Sequence, residues 1–591
     1  MKKLLTILLV AALMLSTCTV FALTDVSAEM ASIDVSEYFT DRDLSGDWDE
    51  VSAKALDLSQ ETGTAEITQA GTYVLSGTLA GSIHVNVGSD DKVQLVLNGA
   101  SVTANGTAAL YVESADKVFV TLAEGTENAL ISTAFEDGSD IDGAVFAKDD
   151  IVFNGSGTLT VTSANHGIVG KDDLKITGGT YVITAEGRGI DANDSIRIYD
   201  GSFTIVSGKD AVRVKSDEAD KGYLLVVNGT FDVTAGGGAQ NGEAHTEERM
   251  GFGRGGWGNT NTAASTESSA STKGFKASGS MLLLGGAFTV DTADDAFHTD
   301  SDLTVYGGTF AVRSGDDGMH ANNALTIQDG AVTIAQSYEG LEATVITING
   351  GNISVAASDD GLNAAGGNDQ SGYFMYDMFA SDGVSGIVIN GGSVYVSSQG
   401  DGLDSNGDLT ISGGTVVVSG PTNSGNGALD YNGNGVITGG TIIAAGASGM
   451  SQNFSSASTQ AAALVNLSGS AGDTITVSDA SGKVLLTGTV EKSFQCVVIS
   501  CPDLQVGETY TVSTGSGSAQ VTLSSVITGG GAGFGMGGGR QQMQGGFDGQ
   551  RPDKNQIPDG QTPNGQQPGG QMPNGQQPGG QRPGGPGRHG W

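Results

Sequence analysis

The sequence predicts an all-β chain wound as a right-handed parallel β-helix of about 22 residues per coil. Three observations predict it. A polar anchor followed by Gly or Ala and an apolar residue recurs at a fixed interval: His166, Arg188 and Asp210 are 22 apart, as are Lys273, Asp295, Asp317 and Glu339. Asp360 follows 21 residues later, and Asp401 comes after an insert. Each unit then carries three short alternating runs, as in HGIVGKDDLKITGGTYVITAEG and DGMHANNALTIQDGAVTIAQSY, too short and too β-branched for helices. Finally, a Gly-Gly or Asp-Gly pair separates the second run from the third, where a turn needs positive φ. Three strands and three turns make one coil. Coils stacked about 4.8 Å apart bring equivalent residues into columns. The interior column is then Ile168, Ile190, Phe297, Met319, Leu341, Leu362 and Leu403.

The remaining elements follow in chain order. Lys2 and Lys3 precede the apolar run LLTILLVAALML, and VSA ends at Ala28, so residues 1–28 read as a signal peptide. Cys18 offers an alternative lipoprotein site. A secreted or cell-surface location is expected, and no later segment is apolar enough to span a membrane. Residues 34–80 read as an N-terminal β cap and 81–446 as the β-helix, because an open solenoid end exposes strand edges. A Gly/Ser-rich loop containing Trp257 interrupts the coils at 236–272, and an insert at 366–383 carries Tyr373, Phe374, Tyr376 and Phe379. Residues 461–526 break the period. DTITVSDASGKVLLTGTV and ETYTVSTGSGSAQVTL read as antiparallel hairpins of a small β module. Cys496 and Cys501 lie in this module, on opposite faces if the strand is regular, with a disulfide or free thiols equally open. Residues 529–591 hold eight of the ten prolines and repeat PNGQQPGGQ, as a disordered tail does.

Charge narrows the partners. With 66 acids against 27 Lys and Arg, the net charge is −39, which excludes nucleic acid and favours cations. The acids recur at one corner of successive coils: Asp294 and Asp295, Asp316 and Asp317, Glu339, Asp359 and Asp360, then Asp401. Two like charges about 4.8 Å apart repel by roughly 1 kcal/mol in water and about 3 kcal/mol at an effective dielectric near 20. Either these side chains splay into solvent or a cation sits among them. Calcium suits such oxygen donors, and the lack of Cys or His at the corner argues against zinc. Asp294, Asp295, Asp316, Asp317, Asp359, Asp360 and Asp401 are therefore the candidate metal ligands. Beside them runs a second column, outward by strand alternation: Val169, Asp191, Arg213, Lys276, His298, His320, Glu342, Asn363 and Asp404. Its central four members can be cationic, which makes Arg213, Lys276, His298 and His320, with Asp404, candidate substrate-binding residues; the plain alternative is a solvated face offsetting the acids. Two further acidic stretches, DRDLSGDWD (41–49) and EDGSDIDG (136–143), resemble calcium loops only weakly.

The segments KDDLKITGGT, GIDANDSIRI and DGLDSNGDLTISGGT, with KVQLVLNGASVTANGTAALYVESADKVFVTLAEGTEN, resemble the secreted carbohydrate-binding β-helix proteins of clostridia. The resemblance runs over residues 35–515. It implies calcium binding, affinity for cellulose and polygalacturonate, and a fold similar to family 9 pectate lyases. Three functions stay open. One is a calcium-dependent binder of plant cell-wall polysaccharide, acidic pectin above all and cellulose besides. Another is a pectate lyase with Lys276 as base and Arg213 stabilising the developing charge. The last is a structural cell-surface solenoid. A monomer is expected in each case.

Overall fold

The computed structural model describes residues 33–243, 271–365, 381 and 383–530. The expected signal peptide with Cys18, Trp257 with most of its loop, the aromatic insert and nearly all of the tail lie outside the described residues. The described chain is nearly all β, and strands of one large sheet pair in parallel with the third strand along. The first strands align Ile168 with Ile190, Val212, Phe275, Phe297, Met319, Leu341, Leu362, Leu403 and Leu429. All of these side chains are buried, so the expected interior column is present and gains three members. Third strands alternate buried and exposed residues, as in Ser202–Ser207, which is the two-residue period of a strand with one inward face. Their inward aromatics stack coil upon coil: Phe203, Phe231, Phe288 and Phe310 lie in parallel with ring centroids 4.8, 4.7 and 4.7 Å apart. That distance is the strand spacing itself, so the backbone ladder sets the ring stack. Glycine is required at the turn before these strands. Gly308 has φ 105°, and a Cβ there would lie 2.7 Å from the Gly286 carbonyl oxygen of the preceding coil.

Parallel pairing starts earlier than the sequence predicts. Lys54–Asp57 pairs with Tyr73–Ser76, and Gly63–Ile67 with Gly81–Val85, so the solenoid begins near Lys54 rather than Gly81. Residues 33–49 form no end cap. They run as a strap along the outer face of the second strands. Phe39 packs on Leu225 and Leu284, Arg197 donates to the Tyr38 carbonyl at 3.3 Å, Asn154 Nδ2 to the Ser45 carbonyl at 2.8 Å, and Gln94 to that of Asp47 at 3.1 Å. The physical reason is visible on the face beneath, where outward Phe119, Leu225 and Leu284 need cover. DRDLSGDWD is thus no calcium loop. Thr40 caps the short helix Asp41–Leu44 with Asp43, and the Asp43 carboxylate is buried on Lys175 Nζ at 2.8 Å. In the second stretch, Ile141 packs against the cluster of Ala108, Phe146 and Val169, which holds that segment as structure.

At the other end, Thr474–Ser478 with Val484–Thr489 and Thr509–Ser513 with Ser518–Thr522 form the two antiparallel hairpins. Phe494–Ser500 pairs antiparallel with Thr441–Gly446, the last coil's third strand, so the module covers that edge. Cys496 and Cys501 are both buried free thiols. Cys496 faces the solenoid core and Cys501 the module core. Among the described residues no helix is long and apolar enough to cross a membrane.

Candidate functional site

Each coil turns from its third strand into the next first strand through a tight corner. The anchor sits in that corner, and the outward strand residue follows three positions later. The corner bends the chain enough for the two side chains to meet. His298 Nδ1 lies 2.7 Å from Asp295 Oδ2, and His320 Nδ1 lies 3.0 Å from Asp317 Oδ2. The two columns that the sequence separates into a corner and a surface are therefore one network. Strand alternation does point the second column away from the interior, but it is not a solvated face: His320 is 1% exposed, and Asp191, His298, Glu342 and Asn363 are buried. Arg213 and Lys276 are half-buried.

Contacts along the coils show how the charges are matched. The Arg213 fork is engaged by Asp191, Nε to Oδ1 at 2.7 Å and Nη2 to Oδ2 at 3.0 Å. Arg188 lies 3.7 Å from Asp191 and 3.5 Å from Asp210. Lys273 Nζ sits on Asp294 at 2.5 Å and Asp295 at 2.6 Å. His320 Nδ1 also reaches Glu342 Oε2 at 2.7 Å. Of the expected substrate-binding residues, Arg213, His298 and His320 thus already hold carboxylates of this chain. Of the expected metal ligands, Asp294 and Asp295 already hold an ammonium group and Asp317 an imidazole. Lys276 differs: among the described residues no carboxylate lies within ion-pair distance of it, and its Nζ donates to Ser271 Oγ at 3.2 Å.

Electrostatics divides the ladder in two. Burial opposes ionisation of Asp295, but Lys273 and then His298 outweigh it and hold the carboxyl well below the usual range. Burial likewise opposes charge on His320, but hydrogen bonds to Asp317 and Glu342 push it up to about 12. Asp317 is raised well above its ordinary value by burial and Asp295, despite its hydrogen bond with His320. From Glu339 onward, Glu342 on His320 apart, no described Lys, Arg or His pairs with the ladder's acids. Burial and Glu342 raise Glu339 well above its ordinary value. Burial, Asp404 and Asp401 do the same to Asp360, and burial, Asp404 and Asp430 to Asp401. Asp404 is pushed up to about 7 by burial, Asp430 and Asp359. Among the described residues no ion pair reaches any of these carboxyls, and no cation counts among the causes of their shifts.

The all-oxygen end fits a hard divalent cation better than the end first expected to hold it. Asp360, Asp401 and Asp404 offer oxygens within 4.8 Å of one another. Asn363, buried one coil before Asp404 in the same column, donates to Glu339 at 2.6 Å while its Oδ1 is buried without a partner. Oxygen donors of this kind suit calcium. Asp430 completes the column. It is missed in the sequence because LDY (429–431) lies after the last anchored unit. Arg188 and Lys273 are missed as site residues because they serve there as phase markers, and reading the anchor column for charge would find them; Asp191, in the outward column, is missed because only that column's central cations and Asp404 are read as binding residues.

Among known proteins, a family described as carbohydrate-binding domain-containing protein matches residues 61–318. A protein of the same description from Acetivibrio thermocellus is 39% identical over 140 residues, 22% of this chain and 49% of that protein. The chain therefore spans about half the length of this curated relative. A solved polysaccharide lyase-like protein from C. thermocellum, a gadolinium derivative, is similar at 25% identity, covering 48% of this chain and 98% of that one with a TM-score of 0.34. The family match takes in the coils whose corners carry Arg188, Asp210, Lys273 and Asp295, and it ends at Gly318, before the unneutralised acids begin.

Proposed function

We propose that the protein is a secreted, calcium-dependent carbohydrate-binding protein on a right-handed parallel β-helix, and that it takes acidic plant cell-wall polysaccharide, with cellulose as a further ligand. One observation carries the reading. Among the described residues no ion pair reaches Asp360, Asp401 or Asp404, whereas Asp191, Asp294, Asp295 and Glu342 each face an Arg, Lys or His of this chain. A calcium ion there would supply the positive charge that lets the carboxylates of a uronate chain lie against these acids. Asp360, Asp401 and Asp404 would hold it, and Asn363 Oδ1 lies in the same column. The periodic solenoid surface suits an extended polymer, and an open cleft beside the column is lined by Lys171, Arg213, Lys215 and Lys221 together with Asp172, Asp194, Asp217 and Glu218. The carbohydrate-binding description of the matching family supports the ligand class.

Co-sedimentation with insoluble polygalacturonate tests this. The mature protein is expected in the pellet with calcium and in the supernatant with chelator. Asp401→Asn with Asp404→Asn is expected to weaken the calcium-dependent binding by about 10–100-fold. Equal binding in chelator would remove calcium from the reading, and no binding to polygalacturonate or cellulose in either condition would end it.

A lyase is the second reading, favoured by Lys276. Its ammonium carries no carboxylate within ion-pair distance among the described residues, and it stands one coil from both Arg213 and His298. A neutral lysine there could take the proton next to a uronate carboxylate as the glycosidic oxygen leaves. Lys276→Ala should then abolish formation of unsaturated product while sedimentation persists. A parent protein with no turnover removes the reading.

A further inference from the structure

The two histidine coils carry donors that the rest of the ladder lacks. DDAFH (294–298) and DDGMH (316–320) place imidazoles where DDGLN and GDGLD place Asn363 and Asp404. Parallel register sets His298 directly on His320, with ring centroids 4.6 Å apart and planes 25° from parallel. Each ring is held at its outer nitrogen: His298 Nε2 lies 3.1 Å from Asp300 Oδ1, and His320 Nε2 lies 3.0 Å from Asn322 Oδ1. Both partners are oxygen acceptors, so each Nε2 carries the hydrogen. In the neutral ring that leaves an Nδ1 lone pair, and both Nδ1 atoms turn inward. They face Asp295 Oδ2 at 2.7 Å, Asp317 Oδ2 at 3.0 Å and Glu342 Oε2 at 2.7 Å. Lys273 Nζ, 2.6 Å from the same Asp295 oxygen, supplies one positive charge. The His298 and His320 Nδ1 lone pairs still face carboxylate oxygens and need a further positive charge between acceptor and acceptor, either protons or a metal ion.

We propose that Asp295, His298 and His320, with Asp317 and Glu342 adjoining, bind a borderline divalent transition ion of the zinc class in preference to calcium. The donor atoms of Asp295, His298 and His320 lie within 4.8 Å of one another, as do those of Asp317, His320 and Glu342. All five residues are buried, so the ligands are held by packing. An oxygen acceptor on the far nitrogen of a histidine is the arrangement that orients metal-bound imidazole and raises its basicity. Imidazole with carboxylate selects zinc-like ions, whereas oxygens alone select calcium. The same column therefore offers a nitrogen-bearing site in the histidine coils and an all-oxygen site at Asp360, Asp401 and Asp404. The sequence expectation of no zinc at this corner rested on its lacking nitrogen donors, and the meeting of the two columns supplies them. This inference is independent of the glycan.

The test uses the full mature chain, stripped with chelator and dialysed. Zinc is titrated calorimetrically in excess calcium, and cobalt is added separately to read ligand-field absorption. The expected result is zinc binding that survives calcium and a visible cobalt spectrum that zinc displaces. His298→Asn with His320→Asn, copying Asn363 of the later coil, should weaken zinc binding by at least about 10–100-fold and leave the calcium isotherm unchanged. Competition of zinc by calcium, or zinc affinity unaltered in the folded double variant, would overturn the proposal. Absence of both zinc heat and cobalt absorption would overturn it too, and would leave His320 as an imidazolium that neutralises Asp317 and Glu342. Should the double variant fail to fold, the cobalt spectrum of the parent still decides, because six-oxygen cobalt absorbs far more weakly than a nitrogen-bearing site of low coordination number.

Discussion

Metal-free protein is expected to melt at a higher temperature near about pH 5 than near about pH 8, and calcium is expected to raise the melting temperature mainly at the higher pH. The sign follows from the direction of the shifts. Glu339, Asp360, Asp401 and Asp404 all have folded-state values raised above their ordinary ones, Asp404 to about 7. Between the ordinary carboxylate range and the raised values, the folded state holds protons that the unfolded state has lost. Stability therefore falls as pH rises through that window, by about 1.4 kcal/mol per pH unit for each group still titrating. These carboxyls are only partly buried, so solvent screening reduces the realised slope. A cation bound at Asp360, Asp401 and Asp404 replaces those protons, which is why its effect grows with pH. Scanning calorimetry at both pH values, with chelator and with calcium, checks it. The variant Asp404→Asn should flatten the pH dependence and lose much of the calcium shift. A metal-free protein that is more stable near pH 8, or a calcium shift that is equal at both pH values, would show that these acids are neutralised some other way.

The interior of the solenoid was legible because the sequence pattern recurs at a fixed interval: Ile168, Ile190, Phe297 and Met319 need only be counted to be stacked. The hairpins at 474–489 and 509–522 were legible for a related reason, since each is local in sequence. The strap was not. Asp43 meets Lys175 across 132 positions, and no pattern near Asp43 announces a partner so distant. The candidate site was legible as two columns of residues and illegible as a network. Strand alternation says that His298 leaves the core, but not that the corner folds Asp295 back to meet it. Lys273 was visible throughout as a marker of the repeat. Its charge gained meaning only when the coils placed it on Asp294 and Asp295.

Substituting Lys273→Met is expected to cost about 3–5 kcal/mol, the loss found when one partner of a buried ion pair is removed. The thioether replaces the lysine stem in length and leaves Asp295, which is buried, without its ammonium; Asp294 loses the same partner. Burial already opposes ionisation of Asp295, and Lys273 is the largest of the influences that overcome it. Without it, three carboxyls whose oxygens lie within 4.8 Å of one another, Asp294, Asp295 and Asp316, share one corner with no ammonium on Asp294 or Asp295. That arrangement approaches the all-oxygen constellation three coils further on. The variant should therefore gain what the parent corner does not need: a stabilisation by calcium that returns a large part of the lost melting temperature, and one additional calcium ion per chain by calorimetry. The matching control is Lys273→Met with Asp294→Asn and Asp295→Asn, which removes charge on both sides and should recover stability without calcium. If the single variant loses stability and calcium returns none of it, the ammonium is needed for its hydrogen bonds and packing rather than its charge. If the single variant loses no stability, the corner is solvated, and Lys273 does not mark where the protein's own cations end and the need for an external one begins.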